Sequence, residues 1–64
     1  GNRVLQDSLR HFARYGLHAA ANAREQAEIA FFEGDREGYD SWLAICRTLD
    51  RRLAEEFVRQ AQSR

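Results

Sequence analysis

Sixty-four residues suffice for one small domain and leave no room for a second. Ten Arg balance ten Asp plus Glu, so the formal net charge is zero with both His neutral, which argues against a dedicated binder of phosphate backbones. One Cys excludes an internal disulfide, and no apolar run nears the ~18 residues of a membrane span, so neither a stapled secreted mini-protein nor a spanning protein is expected.

The chain opens Gly1-Asn2-Arg3 without Met, as a cleaved tag remnant before an excised domain or trimmed product would. No signal-peptide pattern follows. A lone Cys suits a reducing, cytoplasmic compartment. All basic side chains are Arg; the codon usage of a GC-rich genome, which the ten Ala also fit, accounts for this better than a recognition role. No Pro imposes a helix break.

The first element is expected to be one helix from about Arg3 to Glu33. Leu5, Leu9, Phe12, Gly16, Ala19, Ala23, Gln26 and Ala30 follow a 4-3 spacing, a heptad seam over nearly four repeats. Ala13, Ala20 and Ala27 widen it. Arg3, Gln6, Asp7, Arg10, Arg14, Arg24, Glu25 and Glu28 fall on the opposite, wet face. Gly16 costs a helix about 1 kcal/mol, but the apolar phase carries through it, so it reads as a seam position of close approach. A three-helix chain broken at Gly16 is the alternative.

Gly34 suits the left-handed residue after a helix end, and Asp35 suits the next N-cap, with Glu37 adding charge to the first turn. The second helix is expected from about Arg36, although Gly38 weakens its first turn and would let it start as late as Tyr39 or Asp40. This helix runs to about Gln62 on a stripe of Tyr39, Trp42, Cys46, Leu49, Leu53, Phe57 and Ala61, flanked by Leu43. The stripe drifts towards its end, where the spacing becomes 4-4. Ile45 and Val58 are apolar outliers.

A two-residue turn makes the helices antiparallel neighbours, giving an all-α, two-helix hairpin over residues 1–64. Partners sum to roughly 69 (Trp42 with Ala27, Cys46 with Ala23, Leu53 with Gly16, Phe57 with Phe12), so small residues of one helix face large residues of the other. A flat pair encloses no interior and small scaffolds need a staple or a partner. The expectation is therefore a homodimer, a four-helix bundle made of two hairpins. The expected interface and core residues are Leu5, Leu9, Phe12, Gly16, Ala23, Phe31, Phe32, Tyr39, Trp42, Leu49, Leu53 and Phe57. Phe31 and Phe32 point about 100° apart, so one of them is expected to be bare in the monomer, which marks an interface near the turn. The arrangement resembles the Rop-type plasmid RNA-regulator hairpins in architecture and length; no residue-level motif is shared, so the likeness implies no function.

Chemistry-bearing residues are sparse. His11 and His18 lie seven apart on one flank with Tyr15 and Asn22; metal ligands on one helix need spacings of three or four, so a polar rim is expected there, at most a pH-sensitive His pair between subunits. Cys46 reads as a small buried hydrophobe with a raised pKa. Glu25 with Glu28, and Glu55 with Glu56, lack a nucleophile or base at working distance and belong in water, in i,i+4 pairs with Arg24, Arg51, Arg59 and Arg52. No catalytic residue, metal or cofactor is expected. The segment Gly34-Asp35-Arg36-Glu37-Gly38-Tyr39 with Cys46-Arg47-Thr48-Leu49-Asp50 is motif-like but attaches to no named activity. The expected function is non-enzymatic: self-association that presents a protein-interaction surface, regulatory or adaptor in kind. The alternative is a nucleic-acid-associated regulator using a ridge of Arg47, Arg51, Arg52 and Arg59 on a Rop-like dimer.

Overall fold

Four α-helices make up residues 2–63, which are the residues described by the computed structural model: α1 Arg3–Tyr15, α2 Ala19–Glu33, α3 Arg36–Leu49 and α4 Arg51–Gln62, with a 3-10 turn, Gly16–His18, between the first two. No strand occurs among the described residues. The fold is all-helical, as the periodicity implies. Both long helices of the expected hairpin are broken, however, and the breaks change the architecture.

The first break is at Gly16. Its backbone sits at φ 59°, ψ −132°, off the helical path, and its N–H closes α1 by donating to the Phe12 carbonyl. Only glycine reaches this region without strain. A side chain built at Gly16 would meet nothing within 4 Å. The expected close approach of Leu53 is therefore absent, and glycine is there for its torsion angles. The continuous apolar phase across Gly16 misleads because the two halves of the stripe face different surroundings. On α2 it is buried as Ala19, Ala23, Ala27 and Ala30; on α1 it stays exposed as Leu5, Leu9 and Phe12.

The second break is at Asp50, which is extended at φ −154°, ψ 92° and takes a hydrogen bond from the Leu53 N–H at 3.1 Å. This is a helix N-cap, and it restarts the chain as α4 in a new direction. The 4-4 drift in the apolar stripe is the trace of this restart. Two straight rods of ~28 residues would each measure ~40 Å, whereas the longest dimension of the chain is 32 Å.

The turn between α2 and α3 follows the sequence closely. Gly34 adopts φ 74°, ψ 17°, its N–H donates to the Phe31 carbonyl at 3.2 Å, and the Asp35 N–H donates to the Ala30 carbonyl at 2.9 Å. These paired bonds are a Schellman end. Asp35 then caps α3, accepting from the Gly38 N–H at 2.9 Å. The helix begins at Arg36, where its expected bounds put it, and not as late as Tyr39 or Asp40. Gly38 does not delay it: a side chain there would run into the Asp35 carboxylate, so its absence makes room for the cap.

The core sits where α2, α3 and α4 meet. Ala23, Ile45, Cys46 and Ala54 form its centre, with Trp42, Leu43, Leu49 and Leu53 packed around them. Cys46 and Ala23 share this cluster, as the antiparallel register requires. The small residues let the helix axes approach closely. Phe57, also buried, does not meet Phe12. The turn at Asp50 carries it back beside the α2–α3 connection, where its ring lies 6.2 Å from that of Tyr39, itself 5.7 Å from Phe31. Val58, an outlier by periodicity, lines a cleft with Ala30, Phe31 and Tyr39 at this end.

α1 folds back over α3 on the opposite flank. Its inward side is largely polar. Ser8 is buried with its hydroxyl donating to the Val4 carbonyl at 2.7 Å, and the His11 ring stands 5.3 Å from the Trp42 ring. Ile45, the other outlier, is buried by this packing. Arg24 and Glu28, expected on the wet face as an ion pair, are instead half-buried and form no ion pair among the described residues; the Arg24 Nε is shielded from water without a hydrogen-bond partner.

Candidate interaction surface

α1 is amphipathic, and it packs with the apolar side outward. Asn2 caps it, accepting from the Leu5 N–H at 3.0 Å. Along it Leu5, Leu9 and Phe12 recur at the 4-3 spacing that keeps side chains on one helical face, and all three are exposed, Leu9 at 60%. Leu17, in the 3-10 turn that follows, is 94% exposed. A leucine held this far into water contributes no folding energy to its own chain.

A second apolar region lies at the end of α2. Phe31 and Phe32 form an edge-to-face pair, centroids 5.5 Å apart at 83°. The expectation that one of them would be bare is exceeded: Phe31 is 50% and Phe32 67% exposed. Phe31 leans on Tyr39, and Phe31 and Phe32 border a small cleft that also includes Phe57 and Glu28. Tyr39, Trp42, Leu49 and Leu53 are half-buried, and Ala23 and Phe57 are buried, so these six belong to the interior of the single chain.

The arginine ridge takes a different form from the one expected. The break at Asp50 leaves Arg47 on α3 and puts Arg51, Arg52 and Arg59 on α4. Arg51 meets Glu55 at 3.1 Å and Arg52 meets Glu56 at 4.0 Å, both as exposed i,i+4 pairs. Each such pair stabilises the helix by about 0.3–0.5 kcal/mol, and each neutralises one charge of the ridge.

Cys46 lies in the core. Burial pushes its thiol above the ordinary range, and the Asp50 carboxylate adds to the rise, while Arg24 and Arg47 draw it the other way. A buried thiol held in its neutral form is a poor nucleophile. Among the described residues no group of three or more His, Cys, Asp or Glu side chains is placed to hold a metal ion, and no helix is long and apolar enough to cross a membrane. Comparison with known proteins finds no family model, no curated protein and no solved structure that matches the chain.

Proposed function

We propose that this chain is a self-associating helical module, non-enzymatic, in which the Leu5–Leu9–Phe12 stripe of α1 is covered by the same stripe of a second copy. The observation that carries the reading is the outward apolar face of α1. An amphipathic helix with its leucines in water and a serine and a histidine turned inward gains more by burying that face elsewhere. Leu5, Leu9 and Phe12 are 44%, 60% and 48% exposed, so the single chain leaves the stripe largely uncovered. A formal net charge of zero leaves no overall repulsion between copies. The pair would be a two-fold dimer of four-helix chains, not a bundle made of two hairpins. Its two copies present the Phe31–Phe32 end twice, which suits a regulatory or adaptor role.

The nucleic-acid alternative rests on Arg47, Arg51, Arg52 and Arg59, two of which are closed onto glutamates. Self-association is therefore the conclusion. Sedimentation equilibrium tests it: at micromolar concentration the parent has the mass of two 7.4 kDa chains, and Leu9→Glu sediments as a helical monomer. A folded monomeric parent, or a Leu9→Glu variant that keeps the dimer mass, overturns it.

A further inference from the structure

The fold-back of α1 over α3 leaves an open cleft of about 800 Å³ between α1 and the α2–α3 pair. Its equipment differs from that of the apolar stripe, and none of Leu5, Leu9 or Phe12 lines it. We propose that this cleft binds a small ligand that joins a planar heterocycle to an anionic group, of the mononucleotide class. Three sets of groups point to that chemistry.

The first is charge. Arg3, Arg10 and Arg14 stand along the α1 rim, and the one carboxylate in the cleft is Asp7, so three positive charges less one negative leave a surplus of two. Asp7 reaches Arg10 at 3.8 Å and Arg3 at 4.0 Å, distances long for a charge-assisted hydrogen bond. Arg14 has no carboxylate within 4.0 Å among the described residues and lies over the Tyr15 ring, 5.4 Å from its centroid. In a chain of zero net charge this is a local concentration of positive charge, and its guanidinium forks match the two oxygens of a phosphate.

The second is the aromatic wall. Trp42 and Tyr15 both line the cleft, and His11 is wedged against both, at 5.3 and 4.6 Å. The wedge fixes the two rings; Arg14 already lies over the Tyr15 ring, so the ring offered to a planar ligand is that of Trp42.

The third is a pair of unused amides. Asn22 and Gln26 lie one turn apart on α2, both half-buried and both lining the cleft, and neither side chain makes a hydrogen bond among the described residues. Neither amide is among the polar atoms shut off from water, so both are available in the open cleft. Each carries a donor and an acceptor side by side, the complement of a nucleobase edge. Ring face, ring edge and phosphate thus have a separate set of side chains each, within a volume typical of small-molecule sites.

Trp42 is the only tryptophan of the chain, so its fluorescence reports directly on the cleft. The probes are AMP, adenosine and inorganic phosphate, titrated into the full chain at low salt. AMP produces a saturable change in Trp42 emission, and adenosine binds about tenfold more weakly for want of the charge-assisted contacts. Arg14→Gln brings AMP down to the adenosine level and leaves adenosine unchanged. Asn22→Ala with Gln26→Ala weakens both. Absence of a saturable response to AMP overturns the proposal, as does inorganic phosphate binding as tightly as AMP, or an Arg14→Gln variant with unaltered AMP affinity. The site does not depend on self-association, because fluorescence titration and sedimentation read it and the dimer separately.

Discussion

His11 of α1 sets its imidazole edge-on against the Trp42 indole of α3, centroids 5.3 Å apart and planes at 64°. Tyr15, one turn further along α1, closes the other side at 4.6 Å. The contact holds α1 to the rest of the chain, and it leaves the His11 Nε2 shut off from water with no hydrogen-bond partner among the described residues. An orphaned buried polar atom costs about 1–3 kcal/mol, and an aromatic pair contributes about 0.5–1.5 kcal/mol. His11→Phe keeps the ring and removes the orphan. It is expected to stabilise the fold by about 1 kcal/mol, raising Tm by about 4–8 °C in a circular-dichroism melt. His11→Ala, which loses the ring, is expected to melt below the parent. A His11→Phe variant that also melts lower would show that Nε2 is satisfied in solution.

Gly16 gives a prediction whose sign separates two architectures. In a continuous helix Gly16→Ala would stabilise by about 1 kcal/mol through helix propensity. At φ 59°, ψ −132° an L-residue is strained, and Gly16→Ala is expected to destabilise by about 1–3 kcal/mol although the added methyl has open space around it. Chemical denaturation of the two proteins decides the sign. Leucine at the same place is expected to cost about as much as alanine, because the penalty lies in the backbone and not in crowding.

How far the sequence could be read depended on whether a feature was local. The Gly34-Asp35 turn is dictated by residues within five positions of one another, and its hydrogen bonds form as the residue types require. The alanines at 19, 23, 27 and 30 mark a buried face because helical spacing puts them on one side, whereas Ala21, equally small, falls on another and is exposed. Leu5, Leu9 and Phe12 carry the same periodicity yet point to water: a stripe tells which side chains share a face, and is silent on what the face meets. Asp50 had a readable sign, an N-cap residue just before the apolar spacing changed, but without a Glu or Gln three positions on it lacks the capping box that would have set it apart. The cleft has no sequence signature at all. Its residues come from α1, α2 and α3, which are brought together only by the break at Gly16.

Asp50 is accordingly the most informative residue to change. As a helix-interior residue it would be worse than alanine, by up to ~0.7 kcal/mol. As the cap of α4 it supplies the acceptor for the Leu53 N–H, and Asp50→Ala is expected to cost about 1 kcal/mol. Asp50→Asn keeps an oxygen in place and is expected to retain most of that stability, which separates the capping bond from the charge. Urea midpoints for the three proteins give the ranking, and an alanine variant more stable than the parent would restore a continuous second helix.

Cys46 supplies the pH dependence. Its folded-state pKa is raised, first by burial and then by the Asp50 carboxylate, against smaller downward pulls from Arg24 and Arg47. In the unfolded chain a thiol ionises near its ordinary value of about 8.5. Below that value both states hold the proton and the full contribution of the neutral thiol is present. As the pH rises past it the unfolded chain loses its proton first, so stability falls, by at most ~1.4 kcal/mol per pH unit, until the folded thiol also titrates. Urea unfolding is therefore expected to show a midpoint that is flat around neutrality and declines as the pH rises past about 8.5. Cys46→Ala, destabilised overall by the lost volume, is expected to lose that decline. Iodoacetamide provides an independent readout: labelling of the native protein is slow and accelerates with urea in step with unfolding. Rapid labelling without denaturant, or an unchanged slope in Cys46→Ala, would place the thiol outside the core.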